Sequence, residues 1–236
     1  LASGRSVLGT GARRADAVGA ATPDWNGFAV LHTAAARVGG LDLGFVPGKG
    51  GKGVAAMMGS AMDVLFLLGA DEIDMGAIGD STFTIYIGTH GDAGAHRADV
   101  VLPGAAYTEK SATYVNTEGR VQMTNRAGFA PGDAREDWAV LRALSDVLGH
   151  KLPFDSLAQL RSRLYADHPH FAALDAIQEG APADVLQLAK LAGSLESAPF
   201  VSPIRDFYLT NPVARASAVM AECSALARGE LRQAAE

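Results

Sequence analysis

The apolar positions of this chain follow two kinds of pattern. Between residues 24 and 102 they come as short runs separated by glycine-rich joints, and beyond 133 they come as stripes at helical spacing. Asp24 is placed to cap a helix on which Phe28, Leu31, Ala35 and Val38 recur every three to four residues, with Gly39 and Gly40 as its expected stop. The loop PGKGGKG at 47–53 leads into a predicted helix through Met57 and Met62. The run VLFLL at 64–68 shows no alternation, which predicts a strand covered on both faces. FTIYI at 83–87 and VVL at 100–102 predict two more strands, joined by connectors long enough for parallel crossovers. The expected fold class is α/β, an open, mainly parallel sheet followed by a helical C-terminal part and an extended tail.

The second half carries punctuation of its own. In TYVNTEGRVQMT at 113–124, β-forming flanks surround Asn116, Glu118 and Gly119, which predicts a hairpin or tight turn. Asp133 and Glu136 have the spacing of a capping box, Trp138, Leu141, Leu144 and Leu148 form a stripe, and Gly149 closes it. Asp155 or Ser156 starts a further predicted helix with Leu157, Leu160 and Leu164 on one face, and a weaker helical stretch runs from Pro182 to Leu195. Residues 199–212 hold Pro199, Pro203 and Pro212 and read as an extended linker, with Pro212 opening a final helix to about Arg228. The expected organisation is a fragment start or linker at 1–24, an α/β domain at 25–150, a helical extension at 151–198, and an extended arm with a C-terminal helix at 199–236.

Composition narrows the function more than the fold. The chain has 236 residues, 48% of them hydrophobic, and a net charge of −6. A core can therefore form without disulfides or metals. Nucleic-acid partners are disfavoured, because phosphate binding needs a basic stripe and the Lys and Arg residues are scattered. The longest apolar run, at 64–68, is far short of a bilayer span, so no direct membrane insertion is expected. Cys223 is the single cysteine, which rules out an internal disulfide and suggests a reducing compartment. The first residue is Leu1, and Arg5, Arg13 and Arg14 precede any acid, a superficial likeness to a transit peptide. The reading adopted is instead a piece of a longer polypeptide.

Two patterns invite a cofactor and neither completes one. Gly48, Gly50 and Gly53 satisfy GxGxxG, with Asp71 at about the distance of a ribose-binding acid, but Pro47 and a weak apolar approach replace the strand that a dinucleotide fingerprint requires. Gly53 and Val54 stand where a phosphate-binding loop needs Lys and Ser or Thr. His90, Asp92 and His96 could each ligate a metal, without the third or fourth partner of a defined geometry. Ser81 and Ser111 lack a nucleophile elbow. The expectation is no catalytic, cofactor-binding or metal residue in this segment.

The stretch ADVVLPGAAYTEKSATYVNTEGRVQMT at 98–124 resembles the signature of the molybdopterin oxidoreductase superfamily, carried here by Leu102, Pro103, Glu109, Lys110, Asn116, Glu118, Gly119, Arg120, Val121 and Gln122. The form AYTEKSATYVNTEGR, together with VLHTAAARVGGLDLGFVPG at 30–48, the REDW helix with LRALSDVLG at 135–149, and RDFYLTNPVARASAVMAEC at 205–223, resembles the C-terminal part of the large iron–sulfur subunit family of respiratory complex I, the NADH-quinone oxidoreductase. That resemblance implies a structural and docking segment of a proton-translocating NADH:quinone oxidoreductase. Its parent subunit would relay electrons from NADH toward quinone through [2Fe–2S] and [4Fe–4S] clusters held upstream. It implies the other peripheral-arm subunits as partners, and a peripheral place on the cytoplasmic side of the bacterial inner membrane or the matrix side of the mitochondrial one. Glu109, Lys110, Asn116, Glu118, Gly119 and Arg120 are then structural motif residues, with Glu109, Lys110, Glu118 and Arg120 read as charge pairs pinning the hairpin rather than as cofactor neighbours. The alternatives are a cofactor-binding fragment of a molybdopterin-dependent oxidoreductase and a nucleotide-binding domain. The β-barrel with which molybdenum enzymes continue gives way here to helices after Gly149.

One thiolate cannot hold a cluster that wants about four ligands. Purified alone, the chain is expected to carry no stoichiometric iron or molybdenum, and one metal per chain surviving chelation in elemental analysis would contradict this.

Overall fold

The computed structural model describes residues 21–22, 25–26, 32, 37–176, 187, 190, 202 and 204–230. The chain divides into two compact units, one of Leu1–Val46, Tyr114–Gln122 and His168–Val201, the other of Pro47–Thr113, Met123–Asp167 and Ser202–Glu236.

In the first unit, β1 (Ala21–Thr22) pairs antiparallel with β2 (Trp25–Asn26), and α1 spans Arg37–Asp42. The helix expected from Asp24 with Phe28, Leu31 and Ala35 lies largely outside the described residues. Its expected stop is corrected: Gly39 and Gly40 sit inside α1, and the chain turns instead at Gly44, whose φ is +65°. Gly39 lies against Val115, where an added Cβ would be 3.5 Å from a Val115 methyl. A 3-10 turn at Pro169–Ala172 buries Phe171.

The second unit is built on a parallel sheet in the order β3 (Val64–Leu68), β4 (Phe83–Gly88), β5 (Val100–Pro103), with Leu67 beside Tyr86 and Tyr86 beside Val101. This agrees with the expected parallel α/β class. A bridge from Gly104 to Arg135 prolongs the outer edge of β5. One face packs Leu65, Leu67 and Tyr86 with Ile78 against Met57 and Met58 of α2 (Val54–Met58) and Ala95 of α3 (Ala93–Arg97). Each such leucine contributes about 1.5–3 kcal/mol by leaving water. The expectation that VLFLL is covered on both faces is corrected, because Leu65 and Leu67 are buried while Val64, Phe66 and Leu68 are exposed. The α2 helix stops at Gly59, short of Met62.

β6 (Thr113–Val115) and β7 (Val121–Met123) form the expected two-stranded hairpin. The capping box placed at Asp133 and Glu136 is corrected. α4 (Asp137–Val147) takes Glu136 as N-cap without a side-chain cap bond, and the Glu136 carboxylate instead accepts from the Trp138 indole at 2.6 Å. A box-like cap occurs one helix later, at the start of α5 (Leu157–Asp167). There Ser156 Oγ accepts from Gln159 N at 3.2 Å and the Gln159 side chain reaches back to Asp155 N at 2.6 Å. Gly149, with φ +74°, ends α4 as expected: His150 N donates to Ser145 O and Gly149 N to Asp146 O, the paired bonds of a Schellman motif. Of the expected stripe, Trp138, Leu141 and Leu144 are half-buried and Leu148 is exposed, whereas Arg142 is buried. Arg142 donates to Phe154 O at 2.8 Å and to Asp155 at 2.5 Å, tying α4 to the turn that opens α5.

The stretch 182–195 lies, but for Gln187 and Lys190, outside the described residues. The extended linker before Pro212 is corrected by a 3-10 turn at Phe207–Leu209. The single final helix is corrected to two, α6 (Pro212–Arg215) and α7 (Ala218–Ala227), because Ser217 caps the second through Met220 N. Pro212 does open the first, with the Asn211 side chain accepting from Ala214 N at 2.9 Å.

Gly94, the second residue of α3, lies against the central strand. A Cβ there would come within 2.8 Å of Ala70 O and of the Tyr86 ring. Gly94→Ala is expected to destabilise the second unit by roughly 1–3 kcal/mol, read as a lower denaturation midpoint with an unchanged slope.

Candidate functional site

β3 and β4 run parallel, so their carboxyl ends open on one side of the sheet, the side on which open α/β folds bind ligands. A crevice of about 710 Å³ lies there. Gly69, Gly88 and Thr89 lie at the strand ends on one wall, Lys110 and Asp137 stand on a second, and Asn211, Val213, Ser217 and Met220 of the C-terminal arm make a third. Asp137 is the first residue of α4, where the helix dipole favours a carboxylate, and it meets Lys110 Nζ at 2.5 Å. The cation lining the crevice is therefore already answered by an acid.

One ionic cluster ties the arm to the loops beyond the sheet, and a second folds the arm on itself. Arg215, at the last turn of α6, donates from Nη2 to Glu72 Oε1 at 2.8 Å, from Nη1 to Leu209 O at 3.1 Å, and from Nε to Asp92. Asp206 organises the other cluster. Its carboxylate accepts from Tyr208 N at 3.0 Å, from the Ser224 hydroxyl of α7, and from Arg228 Nη1 at 3.0 Å. Ser224 is 1% exposed, so the inner edge of α7 meets the arm's own turn through a polar contact.

Beneath the arm, Tyr86 is buried in the central strand and its hydroxyl donates to Asp71 Oδ2 at 2.8 Å. Burial, then the Asp71 bond, pushes the phenol far above its ordinary pKa, so it stays a donor. The other Asp71 oxygen accepts from Gly94 N at 2.9 Å. Asp71 is thus committed to the fold rather than to a ribose, and the segment before the 47–53 loop is α1 and a turn, not a strand. Of the three residues weighed for a metal, Asp92 binds Arg215 and the His90 ring bonds its neighbour Thr89 at 2.8 Å. Among the described residues no group of three or more His, Cys, Asp or Glu could hold a metal ion.

The six motif residues divide by position. Glu109 accepts from Ala106 N at 2.9 Å and Lys110 pairs with Asp137. Asn116 Oδ1 accepts from Glu118 N at 2.9 Å and Arg120 N at 3.0 Å, folding the turn between β6 and β7 about Gly119, whose φ is +80°. Arg120 meets Glu118 at 3.4 Å and donates to Asp175 O at 3.0 Å. Sequence reasoning did not single out Arg215, Glu72, Asp206 or Arg142. Their partners lie up to 143 positions away, beyond any local period.

Residues 3–147 match the molybdopterin oxidoreductase family. The chain belongs to that family. Residues 173–223 match the family formed by the C-terminal region of the NADH-ubiquinone oxidoreductase G chain, which takes in α6 and the first half of α7. The chain is 44% identical over 205 residues to the NADH-ubiquinone oxidoreductase 75 kDa subunit of Reclinomonas americana, covering 87% of this chain and 29% of that protein. It is 45% identical over 212 residues to the mitochondrial 78 kDa subunit of Neurospora crassa, covering 86% and 27%. It is 41% identical over 204 residues to the mitochondrial NADH dehydrogenase [ubiquinone] iron-sulfur protein 1 of Solanum tuberosum, again 86% and 27%. The chain thus spans under a third of the length of these relatives. The match at 173–223 favours the complex I reading over a cofactor-binding molybdopterin fragment.

The hydrogen bond from Ser224, followed by the Tyr208 amide and the Arg228 charge, holds the Asp206 carboxyl below the usual carboxylate range. A lowered folded pKa stabilises the folded arm at every pH above the unfolded value of about 3.9, and that contribution disappears as pH falls through the folded value. Amide protection of α7 is therefore expected to decline below about pH 4 in wild type. In Asp206→Asn the low-pH step should vanish, protection being lower already at neutral pH.

Proposed function

We propose that this chain is a structural and docking segment of the iron–sulfur subunit of a proton-translocating NADH:quinone oxidoreductase, within a parent subunit that relays electrons from NADH toward quinone. The observation that carries this reading is the arm: the part matched to the NADH-ubiquinone oxidoreductase C-terminal family forms a wall of the crevice at the sheet's carboxyl edge. A pterin dinucleotide brings phosphates, which demand free cations or an open helix N-terminus. Lys110 is paired with Asp137 and the arm supplies Val213 and Met220 to the wall, so the described lining does not fit such a group.

The arm is also inverted in polarity. Ser224 faces inward while Val219 on the same helix is 62% exposed and Phe207 on the preceding turn is 76% exposed. Apolar side chains turned outward from a docked helix suit contact with a neighbour. The partners proposed are the other peripheral-arm subunits, with no nucleic acid and no direct membrane insertion. Among the described residues no helix is long and apolar enough to cross a membrane. The proposed place is peripheral, on the cytoplasmic or matrix face of the energy-converting membrane. The [2Fe–2S] and [4Fe–4S] clusters belong upstream in the parent subunit, and no catalytic role is assigned to this segment. The six motif residues serve structure, and the divisions at 24, 150 and 198 belong to the same proposal.

Removing residues 199–236 from the parent subunit is expected to cut its incorporation into the complex severalfold. Arg215→Ala, which takes away one partly buried charged anchor worth roughly 1–3 kcal/mol, should give a smaller defect of the same kind. Normal assembly of the truncated subunit with unchanged thermal stability would exclude a docking role.

A further inference from the structure

The face of the β3–β4–β5 sheet opposite the core carries Val64, Phe66 and Leu68 from β3, Phe83 from β4 and Val100 from β5. The register sets Val64 beside Phe83, Phe66 beside Ile85, and Ile85 beside Val100, so the surface is contiguous. The five are 46%, 44%, 52%, 47% and 37% exposed. Ile87, farther along β4 on the same face, is 1% exposed. The face is therefore covered at Ile87 of the central strand and bare along β3 and at the amino-terminal ends of β4 and β5.

Every position that these strands place on that face is apolar. A sheet face meant for water alternates toward polar residues, whereas parallel sheets are covered on both sides by helices of their own chain, which the crossover connections place there. About seven-tenths of each relative lies outside the matched stretch, which leaves ample polypeptide to supply the cover. Resting on the reading that this chain is part of a longer subunit, we infer that the bare face of β3–β4–β5 seats an amphipathic helix of that same subunit from outside these 236 residues, with aliphatic side chains packed on Val64, Phe66 and Phe83.

The test uses the full-length subunit carrying Phe66→Cys, and separately Val64→Cys in case the first does not fold. Maleimide labelling of the new thiol is followed by peptide mass, against the same protein unfolded in denaturant. Labelling in the isolated monomeric subunit on the order of 100-fold slower than in the unfolded protein is expected. Rapid labelling in the isolated subunit with protection only in the assembled complex would overturn the inference in favour of a neighbouring subunit. Protection that appears only when light scattering shows a dimer would overturn it in favour of a second copy, and rapid labelling in every state would show the face to be free. A wild-type subunit that never enters the complex would instead undermine the reading on which the inference rests.

Discussion

A phenol placed on the middle strand of a parallel sheet must find an acceptor without leaving the core, and much of the second unit is arranged around how Tyr86 does so. Its hydroxyl binds Asp71 at the loop after β3, and the second Asp71 oxygen binds the amide of Gly94 in the first turn of α3. One carboxylate thereby fixes the strand, the loop and the helix to one another. An unsatisfied buried donor or acceptor here would cost roughly 1–3 kcal/mol. Room for the ring is made by hydrogen at two places, since a Cβ at Gly88 or Gly94 would overlap it. Fixing α3 also fixes Asp92, the residue before it, and Asp92 is what Arg215 grips.

The arm is thus the last member of a chain of dependence that begins in the core. The guanidinium of Arg215 grips Glu72 and Asp92 outside the arm, while the Asp206 carboxylate, against an amide, a hydroxyl and Arg228, folds the arm on itself. Charged hydrogen bonds of this kind specify position more than they add stability, because desolvation offsets much of their gain. A segment positioned that way can keep its apolar groups for an outside surface, which is the distribution seen at Val219 and Phe207. An arm held by burying those groups would have spent them internally.

What the sequence made legible were the features governed by neighbours along the chain. The strands at 64–68, 83–87 and 100–102, the Asn116–Gly119 turn, the Gly149 stop and the Pro212 start all depend on a few consecutive residues, and all are found. Errors came where two local signals competed. Asp133 with Glu136 has capping spacing, yet the helix begins only at Asp137 with Glu136 itself as N-cap. Gly39 and Gly40 looked like a stop, yet packing of Gly39 on Val115 keeps them helical. Ser217, one more small residue on a continuous helix by its spacing, acts as a cap and breaks it. The crevice was not legible at all, since its walls come from segments more than a hundred residues apart.

The strand VLFLL shows how such a mismatch can carry information. Its lack of alternation describes a strand dry on both sides, while these residues bury only Leu65 and Leu67. Propensity cannot account for an apolar outer face, because Thr or Tyr would form the strand equally well and tolerate water better. Solubility works against it too, since a contiguous exposed apolar patch favours association. A face whose every position is apolar is therefore a record of the environment in which the strand works. With relatives more than three times as long as the matched stretch, it is the observation on which the inferred helical cover of β3–β4–β5 rests.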